Sequence, residues 1–434
     1  TQHSVLYNGL LWLSLQLTGE LALLTLAQTV VMAAGLGYAV TGLRRLGGSG
    51  RWLAVAAVGA TCLPVVGTFT VYVSKDVGFV LCLVWALGTV ARILAERPRP
   101  APRRFVVLFA EFALMALLRQ NAFVVIVLAT VLLVVLLTGW RVRLRLAAAG
   151  LAAIAVSVLA NAAVYPALGV RPAGSELVLG PAYADIAVAY ANRPTGFTAA
   201  ERRLMSTVAP LDYWSTSANC YNADATVTYA AKEFNFAAAR AHQAQLFDLW
   251  LRLVKRMPEE IIQARLCRGS IGWNPFPGPA QGPGRTVKIP IAGVRTAFNF
   301  PADRLRSSPY AGAIRSAPLN ATAHKLAVFA RHASDPRSFQ WFAWRGATWA
   351  YLAYLAVIVL AVRRRDRGLL ALAALVAASQ LNVVLNNPGQ LVRYMVGPLI
   401  LGIVLLPMAF AGDGRVSASE RTGAGPETSP ATGE

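Results

Sequence analysis

The charged triplet Ser74-Lys75-Asp76 stands between two apolar runs, Trp52 to Tyr72 and Val77 to Leu94. A helix rises 1.5 Å per residue, so a run of about 20 residues is long enough to cross a hydrocarbon core of about 30 Å. The triplet must therefore lie at a membrane surface or in a polar cavity beside it. A carboxylate there can bind a divalent metal or orient a hydroxyl acceptor. It can equally mark a helix start, where an acid is favourable, and spacing alone leaves both interpretations open.

Two further junctions between apolar runs carry arginine: Arg119 with Asn121, and Arg393 with Tyr394. Guanidinium groups stay charged and bind phosphate through two parallel hydrogen bonds, so they suit an anionic headgroup. An isolated arginine at a membrane surface can also simply extend towards the lipid headgroups. If Lys75, Arg119 and Arg393 share one face of the membrane, they predict a site for a phosphate-bearing ligand.

Two weaker candidates are His3 and Glu111. His3 precedes the short apolar stretch Val5 to Leu17, which we predict to be an interfacial or re-entrant helix. A lone histidine there is either an interfacial polar residue or a ligand contact. Glu111 lies inside an apolar segment, where it either pairs with a polar group of a neighbouring helix or has a function. Walker loops, nucleophile elbows, dinucleotide-binding fingerprints and other metal motifs are absent from the sequence, which argues against most ATP-driven transporters and soluble-type enzymes.

The composition predicts the kind of fold that holds these residues in place. Of 434 residues, 56% are hydrophobic and only 14% are charged. A soluble protein of this composition would expose too much apolar surface, so we predict an all-α polytopic membrane protein. The net charge of +21 lies largely in short arginine clusters at the ends of apolar runs. That arrangement indicates membrane topology and contact with membrane lipids, and it does not predict nucleic-acid binding.

We divide the chain into four parts. Residues 1–165 form an N-terminal bundle, 166–345 a mostly helical polar domain inserted between late spans, 346–411 three C-terminal spans, and 412–434 a disordered tail. The predicted spans lie at about 20–43, 52–72, 77–95, 105–118, 121–139, 144–165, 346–362, 368–387 and 392–411.

The arginine clusters predict the orientation, because Lys and Arg are retained on the cytoplasmic side. Four clusters fall on one side if the spans alternate strictly: Arg44, Arg45 and Arg51; Arg97, Arg99, Arg103 and Arg104; Arg141, Arg143 and Arg145; Arg363, Arg364, Arg365 and Arg367. His3, the Lys75, Arg119 and Arg393 junctions and the polar domain then share the opposite, extracytoplasmic face. The high Ala, Arg and Leu content is typical of a GC-rich bacterial source. We therefore predict a bacterial cytoplasmic membrane, with the C-terminus cytoplasmic.

The four cysteines fall into two pairs. Cys62 and Cys82 lie in apolar runs and are expected to be inert. Cys220 and Cys267 lie in the polar domain, which would face an oxidising compartment. A disulfide between them is a candidate that would stabilise the fold by roughly 4 kcal/mol, although pairing cannot be read from a sequence alone.

Four short segments share residue types with luminal motifs of one class of membrane enzymes. They are Thr1-Gln2-His3-Ser4-Val5-Leu6, Ser74-Lys75-Asp76-Val77-Gly78-Phe79, Leu117-Leu118-Arg119-Gln120-Asn121-Ala122 and Leu391-Val392-Arg393-Tyr394-Met395. The polar domain adds Trp250-Leu251-Arg252-Leu253, Pro258-Glu259-Glu260-Ile261 and Gly272-Trp273-Asn274-Pro275. Over most of its length the chain thus resembles the GT-C membrane glycosyltransferases, the superfamily of protein O-mannosyltransferases and lipid A aminoarabinose transferases, and in particular a bacterial branch of large membrane proteins. Ser4 replaces a proline of the pattern and Ala122 a glycine.

The resemblance implies a GT-C-like bundle and a cell-envelope enzyme. Such an enzyme transfers a hexose or pentose from a polyprenyl-phosphate carrier to an acceptor hydroxyl of a protein, lipid or glycan. Asp76 would bind a divalent cation, Mg²⁺ or Mn²⁺, or orient the acceptor. The donor phosphate would be bound by residues at the junctions, namely Lys75, Arg119, Asn121, Arg393, Tyr394 and His3. The acidic base of this superfamily lies in its first luminal loop, which we expect in a segment preceding His3, and the helix Val5 to Leu17 would line the lipid entry.

Three other functions remain open. A flippase or transporter would explain polar residues at the middle of spans, such as Asn161, Gln380 and Asn382. It would leave the large polar domain unexplained, and we find no inverted repeats to support it. An O-antigen-type ligase would use a lipid diphosphate donor together with Arg331 and His332. A non-enzymatic scaffold for envelope assembly would need no acid near His3.

Overall fold

The computed structural model describes residues 4–119, 121–170, 179–227, 232–279, 282, 284–289, 307, 309–313 and 320–412. The predictions for His3 and for the tail from residue 413 lie outside these residues. Helices make up the described fold, which contains two isolated β-bridges and no strand. The predicted all-helical class is therefore confirmed.

Two groups of helices build the membrane bundle. The N-terminal group is α1 (Val5–Thr18), α2 (Ala22–Arg44), α3 (Gly50–Cys62), α4 (Pro64–Thr70), α5 (Lys75–Ala95), α6 (Pro102–Leu118), α7 (Ala122–Leu136) and α8 (Trp140–Ala167). The C-terminal group is α18 (Gly346–Arg363), α19 (Ala374–Asn386, continuing a 3-10 segment Arg367–Ala373) and α20 (Val396–Leu405, continued by Leu406–Phe410).

Five of the described helices are long and apolar enough to cross a membrane: α2, α5, α8, α18 and the combined Arg367–Asn386 segment. The bent pair α3 and α4 would make a sixth, and α7 and α20 are apolar but shorter. The predicted span 105–118 corresponds to α6, which has 17 residues. The chain is thus a helical, multi-pass membrane protein.

The predicted span 52–72 breaks into α3 and α4, whose axes differ by 74°. Pro64 occupies the first position of α4. Because proline has no N–H and disfavours a helical conformation at the preceding residue, the first helix ends before it. Gln28 of α2 then fixes the chain beyond α4: its Nε2 donates to the carbonyl oxygens of Thr70 and Tyr72, at 2.9 and 3.2 Å. These contacts hold the loop that leads into α5.

Helix α5 is the centre of the bundle, and nearly all of its residues from Val77 to Leu94 are buried. Its close approach to α2 depends on small residues. A Cβ on Gly88 would collide with the Tyr38 ring, and one on Gly42 would lie 2.8 Å from the Gly88 carbonyl oxygen. The start of α5 is capped by Ser74, whose side chain accepts a hydrogen bond from the backbone N–H of Asp76 at 3.3 Å. Lys75 and Asp76 therefore begin a rigid, buried helix.

All four predicted arginine clusters are represented at one end of the bundle, which we call the basic end. Arg97 pairs with Asp366 at 2.5 Å, and Glu96 pairs with Arg104 at 2.6 Å and with Arg45 at 3.6 Å. Arg145 of the remaining cluster lies over the Phe105 ring, at 5.6 Å from its centroid. The opposite end, which carries the inserted region, is called the insert end.

The inserted region has its own hydrophobic core, which includes the buried Tyr183, Trp214 and Leu249. Its helices are α9 (Gly180–Asn192), α10 (Ala199–Val208), α11 (Leu211–Thr216), α12 (Phe236–Ala241), α13 (Gln243–Arg256), α14 (Pro258–Arg268), α15 (Ser270–Trp273), α16 (Ala321–Ala333) and α17 (Arg337–Ala343). The carboxylate of Asp185 in α9 is fully buried and links α9 to α13 and α14. It accepts hydrogen bonds from Arg265 at 2.6 Å, from Arg268 at 2.8 Å and from the indole of Trp250 at 2.9 Å.

Polar contacts attach the inserted region to the loop between α19 and α20. Gln390 donates to the carbonyl oxygens of Cys267 and Arg268, at 3.1 and 2.6 Å, and accepts from Ser270 at 3.0 Å. Gly269 packs so closely on α19 that a Cβ there would lie 2.7 Å from the Cα of Val384. These buried hydrogen bonds fix the inserted region over the loop that leads to Arg393.

Candidate functional site

Asp76, at the start of α5, brings together two arginines from distant parts of the chain. Its Oδ1 lies 3.3 Å from Nε of Arg119, and its Oδ2 lies 3.3 Å from Nε of Arg393. Asp76 is 4% exposed, so its carboxylate is shielded from water. Arg119 follows α6 and Arg393 lies in a 3-10 turn, Val392–Tyr394, just before α20. Three of the predicted junctions therefore converge.

Aromatic rings fix the two guanidinium groups in place. Arg119 lies between the rings of Phe79 and Tyr394, at 5.0 and 4.9 Å from their centroids. Arg393 donates from Nη2 to the Tyr394 hydroxyl at 3.2 Å. Burial alone would lower the pKa of Arg393, but the Tyr394 hydroxyl and the Asp76 carboxylate raise it overall, so this guanidinium keeps its charge. Together with Lys75, these residues form what we call the Asp76 cluster: Lys75, Asp76, Arg119, Arg393 and Tyr394.

The charge balance of the Asp76 cluster determines what it can bind. Within the cluster, the two guanidiniums of Arg119 and Arg393 share the one carboxylate of Asp76, so cations outnumber acids among these three residues. Such an arrangement is complementary to a phosphate group, which carries about −1.5 to −2 as a monoester at neutral pH.

A divalent cation fits this site poorly. Mg²⁺ and Mn²⁺ prefer several oxygen ligands, and each oxygen of Asp76 already faces a guanidinium at 3.3 Å. Among the residues that the structure describes, no group of three or more His, Cys, Asp or Glu side chains converges on a common point. The predicted divalent cation therefore stays a prediction, and we derive no step of the chemistry from it.

Helix α1 borders the Asp76 cluster. The Ser4 hydroxyl caps α1 by accepting from the backbone N–H of Tyr7 at 3.1 Å, and it donates to the Leu117 carbonyl oxygen at 2.7 Å. The start of α1 is thereby held two residues from Arg119. On its other side α1 exposes Trp12 and Leu17, at 58% and 65%. An apolar face of this kind suits contact with lipid, in line with the predicted interfacial helix.

The remaining predicted site residues lie elsewhere or form other contacts. Asn121 is exposed at the residue before α7, and the described contacts do not join it to the Asp76 cluster. Arg331 pairs with Asp335 and lies over the Trp344 ring, at 4.6 Å from its centroid. His332 is 74% exposed, with its Nδ1 at 3.5 Å from Asp335.

Glu111 pairs with a polar group of a neighbouring helix, which is one of the two interpretations that its sequence position allowed. Its Oε1 accepts a hydrogen bond from the Thr89 hydroxyl of α5 at 2.8 Å, and both residues are buried. The contact lies inside the bundle between α5 and α6. It identifies Glu111 as a polar link between neighbouring helices.

The two cysteines of the inserted region form a disulfide. Cys220 and Cys267 are bonded, with Cα atoms 5.6 Å apart, and they close a loop with a sequence separation of 47. The bond joins α14 to the segment that precedes a short 3-10 helix, Ala223–Ala225. Cys62 and Cys82 are free; Cys82 is buried, whereas Cys62 is exposed and so is not the core thiol that its apolar run predicted.

Asp224 is an acid that the sequence reasoning did not single out. Asn222 forms a bridge with Gly389, and the N–H of Ala223 donates to the Pro388 carbonyl oxygen at 2.7 Å. Asp224 follows directly, with an exposed side chain. Surrounding protein raises its pKa, and the nearby guanidiniums of Arg393 and Arg268 oppose that rise. The bridge between Asn222 and Gly389 thus holds Asp224 near the loop that leads to Arg393.

Comparison with known proteins assigns the chain to one family. A sequence profile described as "Family of unknown function (DUF6020)" matches residues 2–424. No curated protein and no solved structure matches the chain. Because the profile covers the bundle, the inserted region and the whole Asp76 cluster, the chain belongs to the DUF6020 family.

Proposed function

We propose that the protein is a GT-C-like membrane glycosyltransferase that moves a sugar from a polyprenyl-phosphate carrier to an acceptor hydroxyl. The observation that carries the proposal is the convergence of Asp76, Arg119 and Arg393. They come from three segments that resemble GT-C motifs, and they meet beside the membrane beneath an inserted region. A sugar carrier with a lipid tail and a phosphate head requires a cationic site next to lipid.

The cations of the Asp76 cluster would stabilise the leaving group. Before transfer the donor phosphate is a diester with one negative charge, and cleavage of its bond to the sugar adds a second charge. Arg119, Arg393 and Lys75 would bind the phosphate more strongly as this charge develops, which lowers the barrier. Asp76 would hold the two guanidiniums side by side and so keep them in place before the donor arrives.

The transfer also needs a base for the acceptor. The acceptor oxygen attacks the anomeric carbon while the carbon–oxygen bond to the phosphate breaks, and the bonding pair leaves on the phosphate oxygen. The hydroxyl proton passes to a carboxylate. The resemblance expects that acid before His3. Asp224 is a described candidate for the role, because its side chain is exposed and its 3-10 helix is held on the loop at Pro388 and Gly389 that leads to Arg393.

The membrane orientation forms part of the proposal. The arginine clusters of the basic end would be cytoplasmic, which puts the Asp76 cluster and the inserted region on the extracytoplasmic face of a bacterial cytoplasmic membrane. The disulfide Cys220–Cys267 supports this orientation, because disulfides persist outside the reducing cytosol. Cysteine labelling of Arg99→Cys and Arg337→Cys variants in intact cells would test it.

The function is tested by turnover in lipid nanodiscs. Full-length protein is mixed with polyprenyl-phosphate hexose and pentose donors, and release of free polyprenyl phosphate is measured by mass spectrometry, with water or envelope glycans as acceptors. We expect release by the wild type and a loss of about 100-fold or more for Arg119→Met. Asp366→Asn at the basic end is the control and should retain full activity.

Two outcomes would contradict the proposal. One is unimpaired turnover by Arg119→Met and Asp76→Asn. The other is turnover confined to polyprenyl-diphosphate donors, which would favour the ligase alternative. Asp224→Asn separates the two candidate bases. It should lose most turnover and keep donor affinity if Asp224 is the base, and it should keep turnover if the base precedes His3.

A further inference from the structure

Arg345 is a buried arginine that has no ionic partner among the residues that the structure describes. It lies between the inserted region and α18, and its side chain is 1% exposed. Its Nε and Nη1 have no hydrogen-bond partner, and none of the ion pairs among the described residues includes it. Burial lowers its pKa to about 10, so the guanidinium is still charged at neutral pH. Buried charges in proteins are normally paired, because leaving one unpaired is costly.

The N-terminus of α18 provides a second, independent positive feature at the same place. Arg345 is the cap residue of this 18-residue helix, and the first turn, Gly346 to Trp349, is buried. No side chain caps the turn, and it contains no acid. The hydroxyl of Thr348 donates to the Trp341 carbonyl oxygen at 2.6 Å and so is directed away from the cap. The first N–H groups of a helix have no acceptor within the helix, and the helix dipole makes them attractive to anions.

The position of this turn indicates which anions can reach it. The preceding helix α17 and its end expose aromatic rings, namely Phe339 at 58%, Trp341 at 40% and Phe342 at 39%. Aromatic residues beside the start of a membrane span are typical of the interface where lipid headgroups lie. Gly346 packs on Met395 so closely that a Cβ would collide with its carbonyl oxygen. The turn therefore lies beside the segment that carries Arg393, at an end of an apolar helix where lipid headgroups would be expected.

We propose that Arg345 and the first turn of α18 bind the phosphate group of a membrane lipid. The phosphate would accept hydrogen bonds from the free guanidinium N–H groups and would neutralise both the buried charge and the helix end. This site differs from the Asp76 cluster, because its arginine is not shared with a carboxylate. The proposal does not depend on sugar transfer and would hold if the protein had another activity.

Lipid binding to the full-length protein in detergent tests the proposal. Three probes are compared: phosphatidylglycerol, a diacylglycerol with the same acyl chains but no phosphate, and inorganic phosphate. Native mass spectrometry gives affinities, and tryptophan fluorescence gives the unfolding temperature. We expect phosphatidylglycerol alone to stabilise the wild type. Arg345→Met should weaken its binding about tenfold or more, because a charged hydrogen bond is lost.

Two further variants keep the test decisive. Arg337→Met, an exposed arginine eight residues away, is the matched control and should bind like the wild type. Arg345→Lys keeps the charge and should retain part of the affinity, so it serves if Arg345→Met does not fold. In lipid-free detergent Arg345→Met should unfold at a higher temperature than the wild type, since it removes an unpaired buried charge.

Three outcomes would overturn the proposal. Arg345→Met could bind phosphatidylglycerol as tightly as the wild type does. Diacylglycerol could stabilise the wild type as much as phosphatidylglycerol, which would mean that the acyl chains alone are recognised. Inorganic phosphate alone could give the full stabilisation, which would identify a site for free phosphate in place of a lipid.

Discussion

The two ends of the bundle contain arginine in different surroundings. At the basic end Arg97 and Arg104 each have a carboxylate, Asp366 or Glu96, at 2.5 or 2.6 Å, and these carboxylates are 37% and 23% exposed. At the insert end Arg119 and Arg393 share a carboxylate that is 5% exposed. No carboxylate in the described part of the chain pairs with the buried Arg345.

This difference separates two uses of arginine in one membrane protein. Arginines whose carboxylate partners are partly exposed mark a side of the membrane and contribute little to stability, because water and salt screen the pairs. Arginines that share one buried carboxylate cost stability unless another anion is present. The insert end therefore has the charge pattern of a binding site, whereas the basic end has the pattern of a topology signal.

The largest difference in stability between the two ends is expected when one carboxylate is removed from each. Asp76→Asn leaves the guanidiniums of Arg119 and Arg393, which are 11% and 28% exposed, without their acid. We expect it to lower the free energy of unfolding by about 2–3 kcal/mol, which is more than the cost of losing an exposed pair and less than that of a fully buried one. Asp366→Asn should cost about 1 kcal/mol or less, because the pair with Arg97 is partly exposed. Unfolding in detergent, followed by tryptophan fluorescence, measures both. Equal losses of unfolding free energy at the two ends would show that Asp76 contributes no more to stability than a partly exposed carboxylate does.

A comparable loss of stability is expected when the disulfide is removed, since it holds the segment that carries Asp224 against α14. Cys220→Ser opens a loop with a sequence separation of 47, and we expect a loss of about 2–4 kcal/mol from the unfolding free energy. Cys62→Ser, at an exposed free cysteine, is the matched control. A Cys220→Ser protein as stable as the control would mean that the disulfide does not fix the inserted region.

The smallest expected effect concerns Glu201 of the inserted region. It is 6% exposed and completes a capping box with Thr198, and Arg256 pairs with it at 2.8 Å. Burial alone would raise its pKa, but the hydrogen bonds from Arg256 and Thr198 lower it overall. The unfolded chain then binds the proton of Glu201 more tightly than the folded chain does. The stability that ionised Glu201 contributes is therefore present above the ordinary glutamate pKa of about 4.3 and is lost as the pH falls further.

Glu201→Gln tests that pH dependence. At neutral pH the variant should lose about 1 kcal/mol of unfolding free energy or less, because the ion pair with the partly exposed Arg256 is lost while glutamine can keep the capping-box hydrogen bond. Below about pH 4 it should approach the wild type, because the wild-type glutamate is then protonated. Thermal unfolding between pH 7 and pH 3 gives both values. A constant difference over that range would mean that the charge of Glu201 contributes nothing.

Part of the Asp76 cluster could be predicted from the sequence. The alternation of apolar runs and arginine clusters placed Asp76, Arg119 and Arg393 on one face, and the structure joins them. The same pattern did not show the bend before Pro64, although a proline within an apolar run was a usable signal. Nor could it decide between the interpretations of Glu111, because its partner Thr89 lies on another helix.

Asp224 and Arg345 could not be found in this way. The relation of Asp224 to Arg393 depends on how the inserted region docks on the loop at Pro388 and Gly389, a contact between residues more than 160 positions apart. Arg345 looks in the sequence like one more arginine beside an apolar run. Only the packing around it shows that it is buried and that no described acid pairs with it, so burial of charge by long-range contacts is what sequence patterns miss.

The central claim is that the insert end binds a lipid-borne phosphate and the basic end does not. Its most direct test is the affinity of the full-length protein for polyprenyl phosphate in nanodiscs, measured for the wild type, Arg393→Met and Arg97→Met. Arg393→Met leaves Asp76 paired with Arg119, so no buried acid is left alone. We predict a loss of affinity of about tenfold or more for Arg393→Met and wild-type affinity for Arg97→Met. Equal affinities in all three proteins would contradict the claim.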